Sequence, residues 1–146
     1  MTYYFAYGSN MDQMQMKERC PDSVLSGKAV LHDYKLEFTI YSPKRKCGCA
    51  DVVKKPGSKV YGLLYKLTNS DLKKLDGFEG CPNYYRRVTV CVADFSGAEI
   101  KAVSYEVADK SKESLSPSTD YLNLLISAAE DFEFPASYIK YLNSYH

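Results

Sequence analysis

Glu79 lies in Leu75-Asp76-Gly77-Phe78-Glu79-Gly80, and Cys81-Pro82-Asn83-Tyr84-Tyr85-Arg86 follows it. A carboxylate set among glycines, aromatic rings and a stiffening proline is a candidate proton carrier. Partial burial beside Phe78 and Tyr85 raises a carboxyl pKa toward neutrality, where it exchanges protons efficiently. A second candidate stands at the other end of the chain. Tyr3-Tyr4-Phe5-Ala6-Tyr7-Gly8-Ser9-Asn10 runs an aromatic strand into a small polar turn. Successive N–H groups of Gly8, Ser9 and Asn10, just ahead of a helix, can face an anion or a developing oxyanion. A mobile proton and a set of backbone donors are two of the parts an acyl-transfer site needs.

Each feature also has a plainer reading. Gly-Ser-Asn is ordinary turn chemistry, with Asn10 or Asp12 capping the next helix. Glu79 could simply pair with Arg86 or Arg87. Ser9 has no base beside it in the sequence, so it reads as turn lining rather than a nucleophile. Cys47-Gly48-Cys49 beside Lys44-Arg45-Lys46 invites a metal or redox reading, yet no second cysteine pair or histidine pair completes a zinc set. The only histidines are His32 and His146. No metal site and no cofactor is expected. The chain has no P-loop, no dinucleotide-binding glycine motif and no nucleophile elbow. The basic run reads as a solvated loop.

The elements that must position these groups are legible in outline. Tyr3–Tyr7 is a short strand, Asp12–Arg19 a helix stopped by Pro21, and Val24–Phe38 a strand with a bend. Cys49–Val53 and Lys59–Leu67 read as a hairpin about Lys55-Pro56-Gly57-Ser58. Thr68 opens a helix to about Leu75 that Gly77 ends, which leaves Glu79 in a loop. Tyr84–Ala93 and Glu99–Val107 are strands joined at Ser96-Gly97. A polar stretch, Asp109–Ser116, precedes a helix capped by Pro117-Ser118 over about Thr119–Glu130. Pro135 begins a last helix. This is an α+β domain around a small mixed β-barrel or a strongly curled sheet, flanked by helices.

The 146 residues are the size of one domain, residues 1–146. A net charge of +1, from 19 basic and 18 acidic residues, gives no reason to expect nucleic acid or an anionic membrane as partner. No apolar run approaches the ~20 residues that span a bilayer. The five cysteines are odd in number and irregularly spaced, and nothing at the N-terminus reads as a leader sequence. They read as reduced thiols of a cytoplasmic protein. Fourteen tyrosines and no tryptophan suit polar-lined pockets and permit a homodimer without requiring one.

Five segments in order give the chain a wider resemblance: Tyr4-Phe5-Ala6-Tyr7-Gly8-Ser9-Asn10, Val60-Tyr61-Gly62-Leu63-Leu64-Tyr65, Leu75–Gly80, Pro117-Ser118-Thr119-Asp120-Tyr121, and Ala128-Ala129-Glu130 through Pro135 and Tyr138. Together they resemble the gamma-glutamylcyclotransferase-like family over nearly the whole length. The resemblance implies a barrel-like α+β fold with a cavity. It implies release of 5-oxoproline from a small gamma-glutamyl substrate by attack of the substrate's own α-amino group. It places Glu79 as general acid and base. It makes Tyr4, Phe5, Ala6, Tyr7, Gly8, Ser9 and Asn10 the substrate-binding segment, with Tyr105 and Tyr121 lining the pocket. The leaving group stays open among amino acids, amines and a gamma-glutamyl-protected intermediate. A binding protein without turnover is the alternative of another kind.

Overall fold

The middle of the chain is one long antiparallel pair. Strand β2 (Val24–Ser42) turns at residues 43–46 into β3 (Cys47–Leu67), and the two stay paired from Ser42↔Cys47 to Val24↔Lys66. With β1 (Thr2–Ala6), β4 (Tyr85–Asp94) and β5 (Glu99–Val107) they close a barrel in the order β1-β3-β2-β4-β5. Every pairing is antiparallel except β1 with β5, which is parallel through Tyr4↔Val103. The computed structural model describes all of residues 1–146. The closed, mixed barrel decides between the two architectures expected from the sequence.

A pair this long must bend to close, and irregularities in register do the bending. They fall at Leu25/Gly27, His32/Tyr34 and Phe38/Ile40. The second corrects the expected hairpin at Lys55-Pro56-Gly57-Ser58. His32 pairs with Lys59 and Tyr34 with Lys54, so those residues bulge opposite Asp33 without reversing the chain. Asp33 and Gly57 take φ of 64° and 84°, and Gly57 N–H donates to Asp33 Oδ1 at 2.9 Å. Pro-Gly supplies the kink, but both flanks keep the same partner strand, so the ladder resumes beyond it.

Four helices cover the barrel: α1 (Gln13–Arg19), α2 (Asn69–Glu79), α3 (Thr119–Asp131) and α4 (Ala136–Asn143). Thr68 and Ser118 cap α2 and α3 through their hydroxyls, as their sequence context predicts. The end of α2 differs from expectation. Gly77 lies within the helix, and Gly80 terminates it at φ 65°, with its N–H on the Asp76 and Gly77 carbonyls. Only Gly80 occupies the left-handed region that glycine takes cheaply. Glu79 is therefore the last helical residue, not a loop residue.

The core joins both layers. Leu63, Leu64, Tyr65 and Leu67 of β3 are all buried, so this strand is covered on both faces near its end. Tyr61 stacks edge-on against Tyr138 of α4 at 5.1 Å between ring centroids. Gly62 is packed against β1. A Cβ there would fall 2.4 Å from the Ala6 carbonyl oxygen and 2.8 Å from the Phe5 ring. Backbone cannot retreat as a side chain can, so Gly62→Ala is expected to destabilise the fold by roughly 2–4 kcal/mol, read as a lowered urea midpoint. No helix is long and apolar enough to cross a membrane.

Candidate active site

Three elements converge where β1 runs out. Tyr7 and Gly8 leave the strand, and Ser9–Met11 form a single 3-10 turn before α1. The end of α2 brings Glu79 to this turn, and α3 brings Tyr121. Together with Ala50, Tyr85 and Tyr105 they line a cleft enclosing about 330 Å³, its open mouth included.

Asn10 is the hub. It is buried, and its Nδ2 donates to Tyr4 Oη at 3.0 Å and to Glu79 Oε1 at 3.2 Å. Its Oδ1 accepts from Gln15 Nε2 at 2.9 Å and Arg19 Nη1 at 3.2 Å, and its carbonyl from Tyr65 Oη at 2.9 Å. These bonds settle the plainer reading of the turn. The Asn10 side chain is spent on other side chains, one of them the distant Glu79, and Asp12, at the N-cap of α1, makes no side-chain cap. Ser9 Oγ accepts from Gln15 Nε2 at 2.8 Å, which fixes the turn.

Glu79 is half-buried as a residue, and its carboxyl end is largely withdrawn from water. Burial pushes its pKa up from 4.5 to about 7, against the opposing pull of Arg19, the Asn10 hydrogen bond and Arg45. The plainer reading of a surface ion pair fails, because both named arginines are engaged elsewhere. Arg86 pairs with Glu106 at 3.1 Å, and Arg87 pairs with Asp76.

The tyrosines around Glu79 are held neutral. Burial raises the hydroxyl pKa of Tyr4, Tyr7, Tyr85 and Tyr121, with the nearby Glu79 charge acting in the same direction. Each position is locked. Tyr7 Oη donates to the Tyr105 carbonyl at 2.6 Å, Tyr85 Oη donates to the Ala50 carbonyl at 2.7 Å, and Ala50 N–H donates to Tyr121 Oη at 2.9 Å. Tyr105 Oη donates to Asp76 one helical turn before Glu79, and its ring stands edge-on to Tyr4 at 5.9 Å. Tyr4 and Tyr121 accept these bonds and so retain a proton to offer a ligand.

Of the residues expected in the site, Tyr4, Tyr7, Gly8, Ser9, Asn10, Glu79, Tyr105 and Tyr121 meet at the cleft. Phe5 and Ala6 are not on its wall. Both are fully buried in the core, Phe5 against the bare face of Gly62. Gly8 is not forced by its backbone angle, at φ −117°. Its lack of a side chain instead leaves space near the Tyr121 hydroxyl, 3.8 Å from where a Cβ would stand. The sequence reading missed Ala50, Tyr85 as a wall residue, and the outer layer of Gln15, Arg19 and Arg45. The spacing of Gln15 and Arg19, four apart on one helix, was the available signal. Arg45 departs from the solvated loop expected of it. It bonds Gln15 Oε1 at 3.0 Å and lies 5.0 Å from the centre of the Tyr121 ring.

The sequence model of the AIG2-like family matches residues 59–142. Gamma-glutamylcyclotransferase of Bos taurus is 34% identical, over 97% of this chain and 77% of its own length. The chain belongs to the AIG2-like family. Its other relatives include gamma-glutamylcyclotransferase of Homo sapiens, 33% identical over 92% of this chain and 73% of its own length. A solved structure of a gamma-glutamyl cyclotransferase superposes on this AIG2-like chain with a TM-score of 0.90 at 31% identity. The match covers 97% of this chain and 86% of that one.

Proposed function

We propose that this protein is a gamma-glutamylcyclotransferase that releases 5-oxoproline from small gamma-glutamyl compounds. The observation that carries the reading is Glu79. It is a carboxylate of pKa about 7, bonded to the buried Asn10 and ringed by neutral tyrosines, in a chain of this family.

The reaction needs little from the protein but placement. The substrate's α-amino nitrogen attacks its own gamma-carbonyl, a C–N bond forms, and the C–N bond to the leaving amine breaks. Holding the glutamyl chain curled supplies the proximity, so no protein nucleophile is required. Glu79 takes a proton from the α-ammonium and returns one to the departing nitrogen. An α-ammonium titrates at or above about 8, so a base of pKa near 7 faces a much smaller uphill transfer than an ordinary glutamate would. The backbone N–H groups that head the 3-10 turn at Gly8, Ser9 and Asn10 have no partner within the turn and face the developing oxyanion. Tyr4 and Tyr121 present hydroxyls to the glutamyl head, and Tyr7 and Tyr105 complete its wall.

The test is 5-oxoproline release, followed by mass spectrometry, from gamma-glutamyl amino acids, gamma-glutamyl amines, gamma-glutamyl-lysine and glutathione. A folded protein that releases none from any of them would sink the reading. Its pH dependence is equally specific. Below pH 7 Glu79 is protonated and cannot accept the ammonium proton. The acidic limb of kcat/KM is therefore expected to rise through about pH 7, not through the usual carboxylate range. A limb centred near 4.5 would mean that the base ionises as an ordinary carboxylate, and would overturn the raised Glu79 pKa on which this reading rests.

A further inference from the structure

Two arginines contact residues that line the cleft, Arg19 at Asn10 and Arg45 at Tyr121, and no carboxylate of the protein lies within ion-pair distance of either. The ion pairs of the molecule involve Lys35, Lys74, Arg86, Arg87 and Lys110, but neither Arg19 nor Arg45. Both side chains are half-buried, so water does not fully replace the missing partner. Both are nevertheless held in place. Arg19 Nη1 bonds Asn10 Oδ1, and its guanidinium lies 5.1 Å from the centre of the Phe78 ring. Arg45 lies over Tyr121 and bonds Gln15, whose amide in turn bonds Asn10. A fixed guanidinium with unused N–H donors is a receptor for a planar carboxylate.

The substrate of the proposed reaction offers one carboxylate or two. The glutamyl α-carboxylate shares a carbon with the attacking nitrogen, so it must lie beside Glu79. Asn10 and Arg19 are in direct contact there. A second carboxylate exists only when the leaving group is an amino acid, and it belongs at the far end of the substrate. Arg45 reaches Asn10 only through Gln15, and it comes from a different element, the turn between β2 and β3. The exposed Lys44 and Lys46 flank it and add positive potential to that end.

We propose that Arg45 binds the carboxylate of the leaving amino acid and so sets a preference for gamma-glutamyl amino acids over gamma-glutamyl amines. This rests on the cyclotransferase reading and assigns a specificity-determining residue within it. Arg45 carries no proton in the reaction, and its pull on the Glu79 pKa acts alike on both substrate classes, so its mark on specificity appears in the KM for amino-acid leaving groups.

The deciding experiment compares gamma-glutamylalanine with gamma-glutamylethylamine, whose leaving amine is alanine without its carboxylate. Both are assayed with wild type, Arg45→Gln and Arg45→Lys. Wild type is expected to prefer gamma-glutamylalanine in kcat/KM by about 10-fold or more, the usual size of a charge-assisted hydrogen-bond pair. Arg45→Gln should raise KM for gamma-glutamylalanine and erase most of that preference, and Arg45→Lys should restore part of it. Equal losses on both substrates would overturn the inference, because they would mean that Arg45 only props Gln15. An unaltered preference in Arg45→Gln would overturn it too. Wild type that turns over neither substrate would instead remove the activity reading, and this inference with it.

Discussion

Glu79→Gln is expected to fold and to lose turnover by about 10³-fold, within the range general acid–base groups contribute. The change keeps size and shape, and the amide still fits opposite Asn10. What disappears is the capacity to take and return a proton. The same substitution makes a stability prediction of definite sign. The folded-state pKa of Glu79 is about 7, above its ordinary 4.5. Its contribution to stability is therefore fully present below pH 4.5 and is lost as pH rises through 7. At pH 8 the wild type carries a desolvated charge that the neutral glutamine lacks. Glu79→Gln should therefore melt higher than wild type at pH 8, by up to a few kcal/mol in stability, and close to wild type at pH 4. Thermal melts at the two pH values and 5-oxoproline kinetics check both halves. A mutant with lower stability at pH 8 would show that the ionised carboxylate is a structural ion-pair member.

Asn10→Ala is expected to damage both the site and the fold. The side chain contacts Tyr4, Glu79, Gln15 and Arg19 at once. Its removal strands part-buried donors and acceptors, each costing about 1–3 kcal/mol when unsatisfied. Turnover should fall by about 10²-fold or more as Glu79 and the turn lose their common anchor. The Asn10 hydrogen bond holds the Glu79 pKa down, so in residual activity the acidic limb of kcat/KM should move above its wild-type position. A limb that stays in place or moves to lower pH would show that the Asn10 bond to Glu79 does not form in solution.

Both predictions depend on Glu79 and Asn10, residues 69 positions apart that the sequence singles out for different reasons. Local signals were enough for the elements. The alternation of Val88, Val90 and Val92 gave β4, the Ser96-Gly97 turn gave its partner β5, Thr68 and Ser118 marked the helix starts, and the aromatic run before Gly8 marked β1. Those signals rest on steric and hydrogen-bonding rules acting within a few residues. The same locality explains the errors. Pro56-Gly57 satisfies turn chemistry, but whether a turn reverses the chain depends on whether the strand beyond it keeps its partner. Gly77 and Gly80 are both adequate helix ends by composition. Only the left-handed backbone angle at Gly80, seen in the folded chain, selects one.

For the site, residue types alone identified Glu79 and the Gly8–Asn10 turn as candidates, because proton transfer and oxyanion binding demand particular groups. Family-level resemblance added Tyr105 and Tyr121. The sequence could not say which side chains face the cleft. Phe5 and Ala6 sit in the same run as Tyr4 and Tyr7, yet closure of the barrel turns them into the core against Gly62. It could not give Glu79 its pKa either, since burial is its cause and the cleft around Glu79 is assembled from β1, β3, β4, β5 and α3. Nor could it show that Arg45, in what reads as a solvated basic loop, arrives over Tyr121 from 76 positions away. The chain itself determined which chemistry was available and which elements would form. Packing of distant segments decided which groups share a desolvated space, and that sharing makes the chemistry possible.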